Sequence, residues 1–312
     1  MKYIHTNKNT NKKGSATFLM VLLVMVILTV SIGFNWLVRE YIKSAQAFQQ
    51  KAEAILKARS TYDTLIYLML NGKFTAKEII LPKIEGLPEI EKIPLNGTEV
   101  SFLEDLTVKV QDSNGLLSVT TINTVALKRL LTYFGVEPQN ADIFIDSLLD
   151  WIDQDDLTRL NGAEKGWYSS QGLKYEPRNY PIQYKEELKL IRGMTPELYS
   201  KIEPYISLLP ATGFNPNTAP DPVLTAYLDI DNDTLNMLKE YMQTKPVTSD
   251  AELYSLTGRR IVKEEGVYFF PSSYLEITVQ AGKPKPFYTI KAGIYFNENI
   301  YSPYSIIYWK EE

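Results

Sequence analysis

The sequence predicts an α+β fold in which a long N-terminal helix packs on an antiparallel sheet and a large all-α subdomain is inserted between the strands. Two observations carry this prediction. No proline interrupts residues 15–71, so a single helix can run through them. Alternating apolar and β-branched residues lie at 100–119 and again after residue 266, with helical periodicity between them.

The N-terminal helix has two halves of different character. From Gly14 to Val38 no residue is charged, and this run exceeds the roughly 20 residues that a membrane-spanning helix needs. Asn71 and Gly72 supply a stop, with Gly72 expected in the left-handed cap. A helix over residues 16–70 would be about 80 Å long. Its second half carries an apolar stripe formed by Leu37, Tyr41, Ala45, Phe48, Ala52, Ile55, Tyr62, Ile66 and Met69.

The opening apolar segment allows three interpretations. A secretory signal has an apolar region of only about 7–15 residues, and cleavage after Gly33 would leave the apolar run from Phe34 to Val38 behind. A simple anchor suits the four lysines that precede the span, because positive charge stays in the cytoplasm and the body would lie outside. A filament subunit also explains the continuity of the helix, since its apolar half would pack among neighbouring helices and its amphipathic half on a globular head.

Composition narrows the possible chemistry. The 312 residues contain no cysteine, which excludes disulfides, thiolate zinc sites and cysteine nucleophiles. The single histidine is His5, so the body has no Ser-His-Asp triad and no imidazole metal ligand. The formal net charge of −4 becomes −8 when the four lysines before Gly14 are set aside, and an acidic body does not suit a nucleic-acid binder. An enzyme that uses Asp, Glu, Lys or Tyr remains possible, but we expect no enzyme.

The chain after the helix divides by its residue patterns. A connector punctuated by proline and glycine is followed by a predicted hairpin from Val100 to Val119, with Asn114 and Gly115 at the bend. The predicted segments are a leader at 1–14, the helix at 15–72, the connector and first strands at 73–120, the inserted subdomain at 121–260 and the last strands at 261–312.

The insertion is predicted to be a series of short helices around a long loop at 153–183. Asn123 can cap the first helix, Gly135 can end it and Pro138 can start the next. Thr195 begins a cap, proline and acid series that is typical of a helix start. The predicted apolar face of the first helix comprises Val125, Leu127, Leu130, Leu131 and Phe134.

Acidic residues in the long loop predict a site for a hard cation. Asp153, Asp155 and Glu164 have the spacing of the first, third and twelfth positions of an EF-hand. The fifth position is Leu157 and the sixth lacks glycine, so the loop is not an EF-hand. A cage of oxygens could still form with a carbonyl near Gly162, from the carboxylates of Asp153, Asp155, Asp156 and Glu164. The alternative is a solvated acidic loop in which Asp153 ends a helix.

A second acidic spacing lies further along the insertion, at Asp229, Asp231, Asp233 and Glu240. Here Asp231 or Asp233 more naturally caps a helix expected at 233–242. A cation at either place would be structural, because it would neutralise crowded carboxylates and stiffen a loop.

The leader resembles that of type IV prepilins. Lys12, Lys13 and Gly14 are followed by Ser15 and the apolar helix. The resemblance implies that a prepilin peptidase cuts between Gly14 and Ser15, with methylation of the processed chain. Most members of that family have Glu as the fifth residue after the cut, whereas this chain has Leu19. In the family this Glu is thought to engage the amine of the adjacent subunit, so a subunit without it could sit at the filament tip.

The insertion resembles the general secretion pathway protein K family, the minor pseudopilins of type II secretion. The matching motifs are DWID, GAE with Tyr168 close behind, an Asn before the EEL helix, GMTPEL, a Leu-Pro pair and NTA, in that order. The chain departs from the family in SVTTIN, where only Asn123 of an Asn-Leu-Asn motif is in place, and in Pro216 within FNPNTA.

The resemblance implies a pilin-like head and a structural role at the tip of the pseudopilus, promoting its assembly and protein export. It implies as partners the other minor pseudopilins, the major pseudopilin, the prepilin peptidase and the inner-membrane assembly platform, with no nucleic acid. It also implies a single-pass inner-membrane protein with its body in the periplasm, and structural calcium in the inserted subdomain.

Three competing functions stay open at this point. The first is a minor pilin of a type IV pilus, which belongs to the same assembly class. The second is a membrane-anchored helix-hairpin-helix DNA-binding protein, because GMTPELYSKIEPYI resembles that module, although it lacks the Gly-x-Gly hairpin that faces phosphate. The third is a carboxylate-dependent enzyme, for which the cluster from Asp153 to Glu164 is the one candidate centre.

Overall fold

The structure, a computed structural model, describes residues 13–261, 266–297 and 299–312. Residues 1–12 of the predicted leader, which ends at Gly14, lie outside the described residues. The α-helices are α1 (Lys13–Leu70), α2 (Thr124–Tyr133), α3 (Pro138–Ile152), α4 (Lys165–Ser170), α5 (Pro196–Ile202), α6 (Asp221–Leu228), α7 (Asn232–Thr244) and α8 (Asp250–Thr257). The 3₁₀ helices are Ser113–Gly115, Lys185–Leu190 and Glu203–Tyr205.

The strands range from two to nine residues in length. They are β1 (Lys73–Phe74), β2 (Glu78–Ile80), β3 (Lys92–Pro94), β4 (Val100–Leu103), β5 (Leu106–Asp112), β6 (Leu117–Ser118), β7 (Ile206–Ser207), β8 (Gly213–Phe214), β9 (Val267–Tyr268), β10 (Tyr274–Ala281), β11 (Tyr288–Phe296) and β12 (Tyr304–Glu311).

The predicted N-terminal helix is confirmed as the single helix α1. It has 58 residues, and no proline removes a backbone amide from its hydrogen-bond ladder. Among the described residues it is the one helix that is long and apolar enough to cross a membrane, judged by length and composition. The chain divides into two compact units after Ala54, and the described side chains before Ala54 are exposed.

The first and last groups of strands form one antiparallel sheet, as predicted. The strand order is β12-β11-β10-β5-β4. The two groups meet where β5 pairs with β10, which places Ile277 opposite Val110 and Val279 opposite Val108. These four side chains are at most 1% exposed, so one face of the sheet supplies an apolar core.

The last turns of α1 pack on this sheet, which confirms the role predicted for the amphipathic half from Ala54 onwards; Tyr41 and Phe48 of the predicted stripe are exposed. Tyr62 meets Trp309 of β12 edge to face, with ring centroids 4.8 Å apart. Arg59 Nη2 lies 3.0 Å from Glu311 Oε1. Leu65 and Met69 are fully buried. The helix therefore continues into the core of the head.

Two local predictions around the connector are wrong. The connector contains a three-stranded antiparallel sheet, β1-β2-β3, because Ile79 and Ile93 alternate inward and are fully buried. Gly72 does not adopt the left-handed conformation. It is needed for space instead, since a Cβ there would lie 2.8 Å from Ile79 Cγ2 and 3.0 Å from the Ile80 carbonyl oxygen.

The hairpin predicted at Asn114 and Gly115 is also wrong. Strand β5 pairs with β4 and β10, whereas β6 runs parallel to β7 of the insertion. The residues between β5 and β6 form a 3₁₀ helix that the Asp112 carboxylate caps. Asn114 donates through Nδ2 to the Val267 carbonyl and accepts from the Thr212 amide, so it holds the chain as it turns into the insertion.

The insertion has its own apolar core, formed by α2 to α8 and the segments between them. The predicted helix starts at Asn123, Pro138 and Thr195 are confirmed, since Asn123 and Thr195 cap α2 and α5 and Pro138 begins α3. Gly135 adopts the expected positive φ of 87°. Val125, predicted on the apolar face of α2, is 59% exposed; its neighbour Ala126 is buried in its place. The predicted segment boundaries stay a prediction.

A buried carboxylate joins the insertion to the head. Asp112, at the end of β5, is fully buried. It accepts hydrogen bonds from Asn215 Nδ2 and Thr218 Oγ1 of the FNPNTA motif at 3.1 and 2.8 Å. It also accepts from the backbone amides of Asn114 and Ser272 at 3.1 and 2.9 Å. Burial raises the pKa of Asp112, and these hydrogen bonds oppose that rise.

Candidate functional site

The predicted metal ligands lie on one loop, between α3 and α4. Asp153 is the first residue after α3, and Glu164 immediately precedes α4. The loop turns back along α3, because the Asp146 carboxylate accepts from both the backbone and the side-chain nitrogen of Asn161, each at 3.0 Å. The end of the loop is thereby attached to α3, the helix from which the loop begins.

Glu164 is buried without a hydrogen-bond partner. The residue is 5% exposed, and neither carboxylate oxygen has a partner among the described residues. Burial, followed by the nearby charges of Asp150 and Asp153, raises the pKa of Glu164 from 4.5 to about 7. A buried carboxylate in this situation favours a proton or a bound cation.

Arg159 supplies positive charge in the middle of the loop. Its Nη1 donates to Asp150 Oδ1 at 2.7 Å and also contacts Asp153 Oδ2. These hydrogen bonds, with that to Asp153 the larger, raise the pKa of Arg159. The second oxygen of Asp153, Oδ1, is buried and has no partner among the described residues.

The other two predicted ligands are exposed and partly engaged elsewhere. Asp155 Oδ1 accepts from the Leu157 amide at 2.8 Å, which closes a local turn. Asp156 Oδ1 accepts from Asn179 Nδ2 at 3.1 Å. In the part of the chain that the structure describes, no three metal-binding side chains come together as a preformed cluster. The loop therefore gathers negative charge without assembling a cage.

The donor set nevertheless fits a hard cation. Three buried oxygens of this loop lack a partner among the described residues, namely Asp153 Oδ1 and both oxygens of Glu164. All are carboxylate oxygens, the ligands that Ca²⁺ prefers. The carbonyl of Gly162, expected to contribute, accepts instead from Arg192 Nη1 at 2.9 Å.

The loop packs tightly on α3 at Gly162. A Cβ at this position would lie 1.9 Å from Asp150 Oδ2, so the backbone passes directly over the Asp150 carboxylate. Asp150 is itself fully buried and accepts from the Arg159 amide at 3.3 Å. Glycine at 162 is therefore required by space and not by a positive φ.

Two residues of this site, Asp150 and Arg159, are absent from the sequence-based set. The sequence carries a signal for Asp150, because Asp146 and Asp150 are four residues apart on one face of α3 and Asp153 follows three residues later, just after the helix. Arg159 is the single basic residue between Asp153 and Glu164, which is a weaker signal because most surface arginines have no such role.

The second acidic spacing has a structural role. Asp231 caps α7 by accepting from the Thr234 amide at 2.8 Å, which confirms the capping alternative. Asp229 adopts a positive φ of 53° and lies 3.4 and 3.5 Å from Arg129 and Arg259. These carboxylates are committed to a helix start and to two ion pairs.

The GMTPEL motif serves packing in this chain. Gly193 has a positive φ of 90°, and a Cβ there would lie 3.1 Å from the backbone nitrogen and Cα of Phe144 in α3. The glycine thus allows two backbone segments to approach closely. This use differs from that of a hairpin whose amides face a phosphate.

The predicted processing residues lie at the start of α1. Gly14 and Ser15 belong to its first turn, and Leu19 is 62% exposed on the same helix. Cleavage between Gly14 and Ser15 stays a prediction.

Known proteins resemble this chain in the region that contains the loop between α3 and α4. The sequence model of the family described as type II secretion system protein K matches residues 103–211. Type II secretion system protein K of Klebsiella pneumoniae is 41% identical over 81 residues, which are 26% of this chain and 25% of the relative. That of Pectobacterium carotovorum subsp. carotovorum is 27% identical over 176 residues, 51% of this chain and 53% of the relative. The chain thus spans about half the length of these relatives, or less.

The fold has a counterpart among solved structures. A chain of the crystal structure of the GspK-GspI-GspJ complex from the type 2 secretion system of enterotoxigenic Escherichia coli matches with a TM-score of 0.56. The match covers 86% of this chain and 98% of that chain, at 17% identity, so it shows the shared fold. The resemblance inferred from the motifs is therefore confirmed, and it is strongest over residues 103–211, which match the family's sequence model.

Proposed function

We propose that this chain is a minor pseudopilin of a type II secretion system and has a structural role. The observation that carries the proposal is that residues 103–211 match the protein K family model in a chain whose long helix α1 packs its last turns into the head. A helix of this kind can anchor the protein in a membrane before assembly and pack among other helices afterwards.

The chain would be located in the inner membrane, with its body in the periplasm. A prepilin peptidase would cut between Gly14 and Ser15, and an assembly platform would move the helix from lipid into the pseudopilus. The partners would be the other minor pseudopilins and the major pseudopilin. Their apolar helices would replace lipid around the exposed side chains from Phe18 to Ile42.

Two features support a place at the tip of the filament. Leu19 supplies no carboxylate for the amine of a neighbouring subunit. The insertion adds a second apolar core to the head and gives the subunit bulk that a repeating position would have to accommodate. A subunit at the tip would promote assembly and, through it, protein export.

Structural calcium in the loop between α3 and α4 is part of the proposal. Asp153 and Glu164 would hold the ion through their unpartnered oxygens, and Asp155 and Asp156 are close enough to raise the pKa of Glu164 through their charge. The ion would neutralise these carboxylates and stiffen the loop, with no part in catalysis.

Mass analysis of the N terminus tests the assignment directly. The full chain is expressed in membranes with and without a prepilin peptidase, beside a Gly14→Val variant. We expect a mature chain that begins at Ser15 only when the peptidase and Gly14 are both present. A mature chain that begins at Phe34, or an intact Met1 in the presence of the peptidase, would contradict the pseudopilin assignment. Elemental analysis of the purified chain tests calcium separately.

A further inference from the structure

The loop from Asp153 to Glu164 carries four carboxylates and a single basic side chain, that of Arg159. The guanidinium of Arg159 bridges Asp150 and Asp153, whereas Glu164 has no partner among the described residues. A buried charge that has no opposite charge paired with it is strongly destabilising. The loop is therefore in a state in which one buried carboxylate is left uncompensated.

Asp153 is the carboxylate that both Arg159 and the proposed metal ion would use. Asp153 points one oxygen at Arg159 and leaves the other, Oδ1, buried and without a partner in the described chain. A divalent ion that bound Asp153 and Glu164 would share the Asp153 carboxylate with the guanidinium. Its two positive charges would then repel the positive charge of Arg159. This repulsion favours a structure in which the guanidinium moves away from the bound ion.

Arg159 is built to leave without unfolding the loop. Its side chain is 36% exposed, so the guanidinium has a path to solvent. Asp150 would keep the hydrogen bond from the Arg159 backbone amide at 3.3 Å. The two hydrogen bonds from Asn161 to Asp146 would also remain. The backbone stays attached to α3 while the side chain moves.

We propose that Arg159 is an internal competitor for the divalent cation: its guanidinium holds Asp150 and Asp153 when the metal is absent, and it withdraws when a metal ion binds Asp153 and Glu164. This inference rests on the calcium site proposed above and adds its regulation. It accounts for a loop that carries suitable oxygens but no preformed cluster among the described residues. The apparent affinity for metal is then the intrinsic affinity reduced by the fraction of molecules in which Arg159 is withdrawn.

Calorimetric titration of Ca²⁺ into the full-length chain in detergent micelles tests the proposal. The proteins are the wild type, Arg159→Gln and Arg159→Lys. The matched control is Arg129→Gln, whose side chain is 39% exposed and pairs with Asp229 in the same insertion. If Arg159 is withdrawn in about one molecule in ten, Arg159→Gln binds Ca²⁺ about tenfold more tightly than wild type.

The lysine variant separates charge from shape. Lysine keeps the positive charge but lacks the planar fork that bridges two carboxylates, so we expect Arg159→Lys to bind Ca²⁺ about two- to threefold more tightly than wild type. The control Arg129→Gln should bind like wild type. Circular dichroism shows which variants are folded. If Arg159→Gln does not fold, the lysine variant decides, and equal Ca²⁺ affinity of Arg159→Lys and wild type overturns the proposal.

The other outcomes distinguish the competitor from the site. Equal or weaker binding by folded Arg159→Gln overturns the role of Arg159 and leaves the calcium site in place. Absence of Ca²⁺ binding by every folded protein overturns both the competitor and the site. Neither result bears on the pseudopilin assignment, which depends on cleavage before Ser15.

Discussion

Two buried carboxylates of this chain have opposite environments. Asp112 accepts hydrogen bonds from four residues. One lies in the 3₁₀ helix that follows β5, two lie in the insertion and one lies in the segment before β10. Glu164 is almost as deeply buried but has no hydrogen-bond partner among the described residues. A carboxylate that the protein satisfies completely acts as a structural joint, whereas one that it leaves unsatisfied is available to a ligand.

Removal of the satisfied carboxylate should have the largest effect. Asp112→Ala leaves buried donors of Asn215, Thr218 and Ser272 without their acceptor, and we expect a loss of about 3–5 kcal/mol in the free energy of unfolding. Urea unfolding followed by tryptophan fluorescence measures it. The exposed Asp155 is the control, and a loss for Asp112→Ala no greater than that for Asp155→Ala would contradict the joint.

Neutralisation of the unsatisfied carboxylate, that of Glu164, should increase the free energy of unfolding instead of decreasing it. In the absence of calcium, Glu164→Gln removes an uncompensated buried charge, and we expect a gain of about 2 kcal/mol in the free energy of unfolding at neutral pH. The variant should also lose the stabilisation that added Ca²⁺ gives the wild type. Both effects are read from thermal unfolding with chelator and with Ca²⁺.

A partnered glutamate provides the matched control for this sign. Glu252 accepts from the Thr248 amide and from Tyr241, and these bonds, with that from Tyr241 the larger, lower its pKa to about 2. Glu252→Gln should therefore destabilise the protein. If both variants shifted the unfolding temperature in the same direction, the contrast between satisfied and unsatisfied carboxylates would be lost.

A methyl group at Gly162 tests how closely the loop lies on Asp150. Gly162→Ala would place a Cβ 1.9 Å from Asp150 Oδ2, and we expect a loss of about 1–3 kcal/mol from overpacking. Gly166 in α4 has open space at its Cβ position. Gly166→Ala should therefore be neutral or stabilising by up to about 1 kcal/mol, and chemical unfolding of both variants makes the comparison.

A single helix cap sets the lower end of the scale. Asn123 accepts one hydrogen bond from the Ala126 amide at 3.0 Å, and Asn123→Ala should cost about 1 kcal/mol. Asn123→Asp keeps the cap and should unfold like wild type. A loss for Asn123→Ala as large as that for Asp112→Ala would show that the joint is worth no more than one ordinary hydrogen bond.

Sequence reasoning predicted best what depends on local patterns. The continuity of α1 follows from the absence of proline, and the caps at Asn123 and Thr195 follow from residue type and spacing. The pairing of the first and last strands also followed, because both groups carry one apolar face. These features depend on short stretches of chain and on a single face that must be buried.

Features that depend on distant contacts were missed. Asn114 looks like a turn residue, but its side chain contacts Thr212 and Val267, and these partners are remote in sequence. Gly72 looks like a helix cap, but its role depends on how closely Ile79 approaches. In the candidate metal loop, the spacing predicts Glu164 as a ligand, whereas the pairing of Arg159 with Asp150 depends on how the loop folds back on α3.

The pairing of β5 with β10 has a consequence for the order of folding. Val110 pairs with Ile277, so the head sheet cannot close until the ribosome has delivered the whole insertion. The insertion has its own apolar core and can collapse first, since domains fold as units during synthesis. We therefore expect the head to be the last part of the chain to fold. Until β10 to β12 are available, the apolar faces of β5 and of the end of α1 remain exposed.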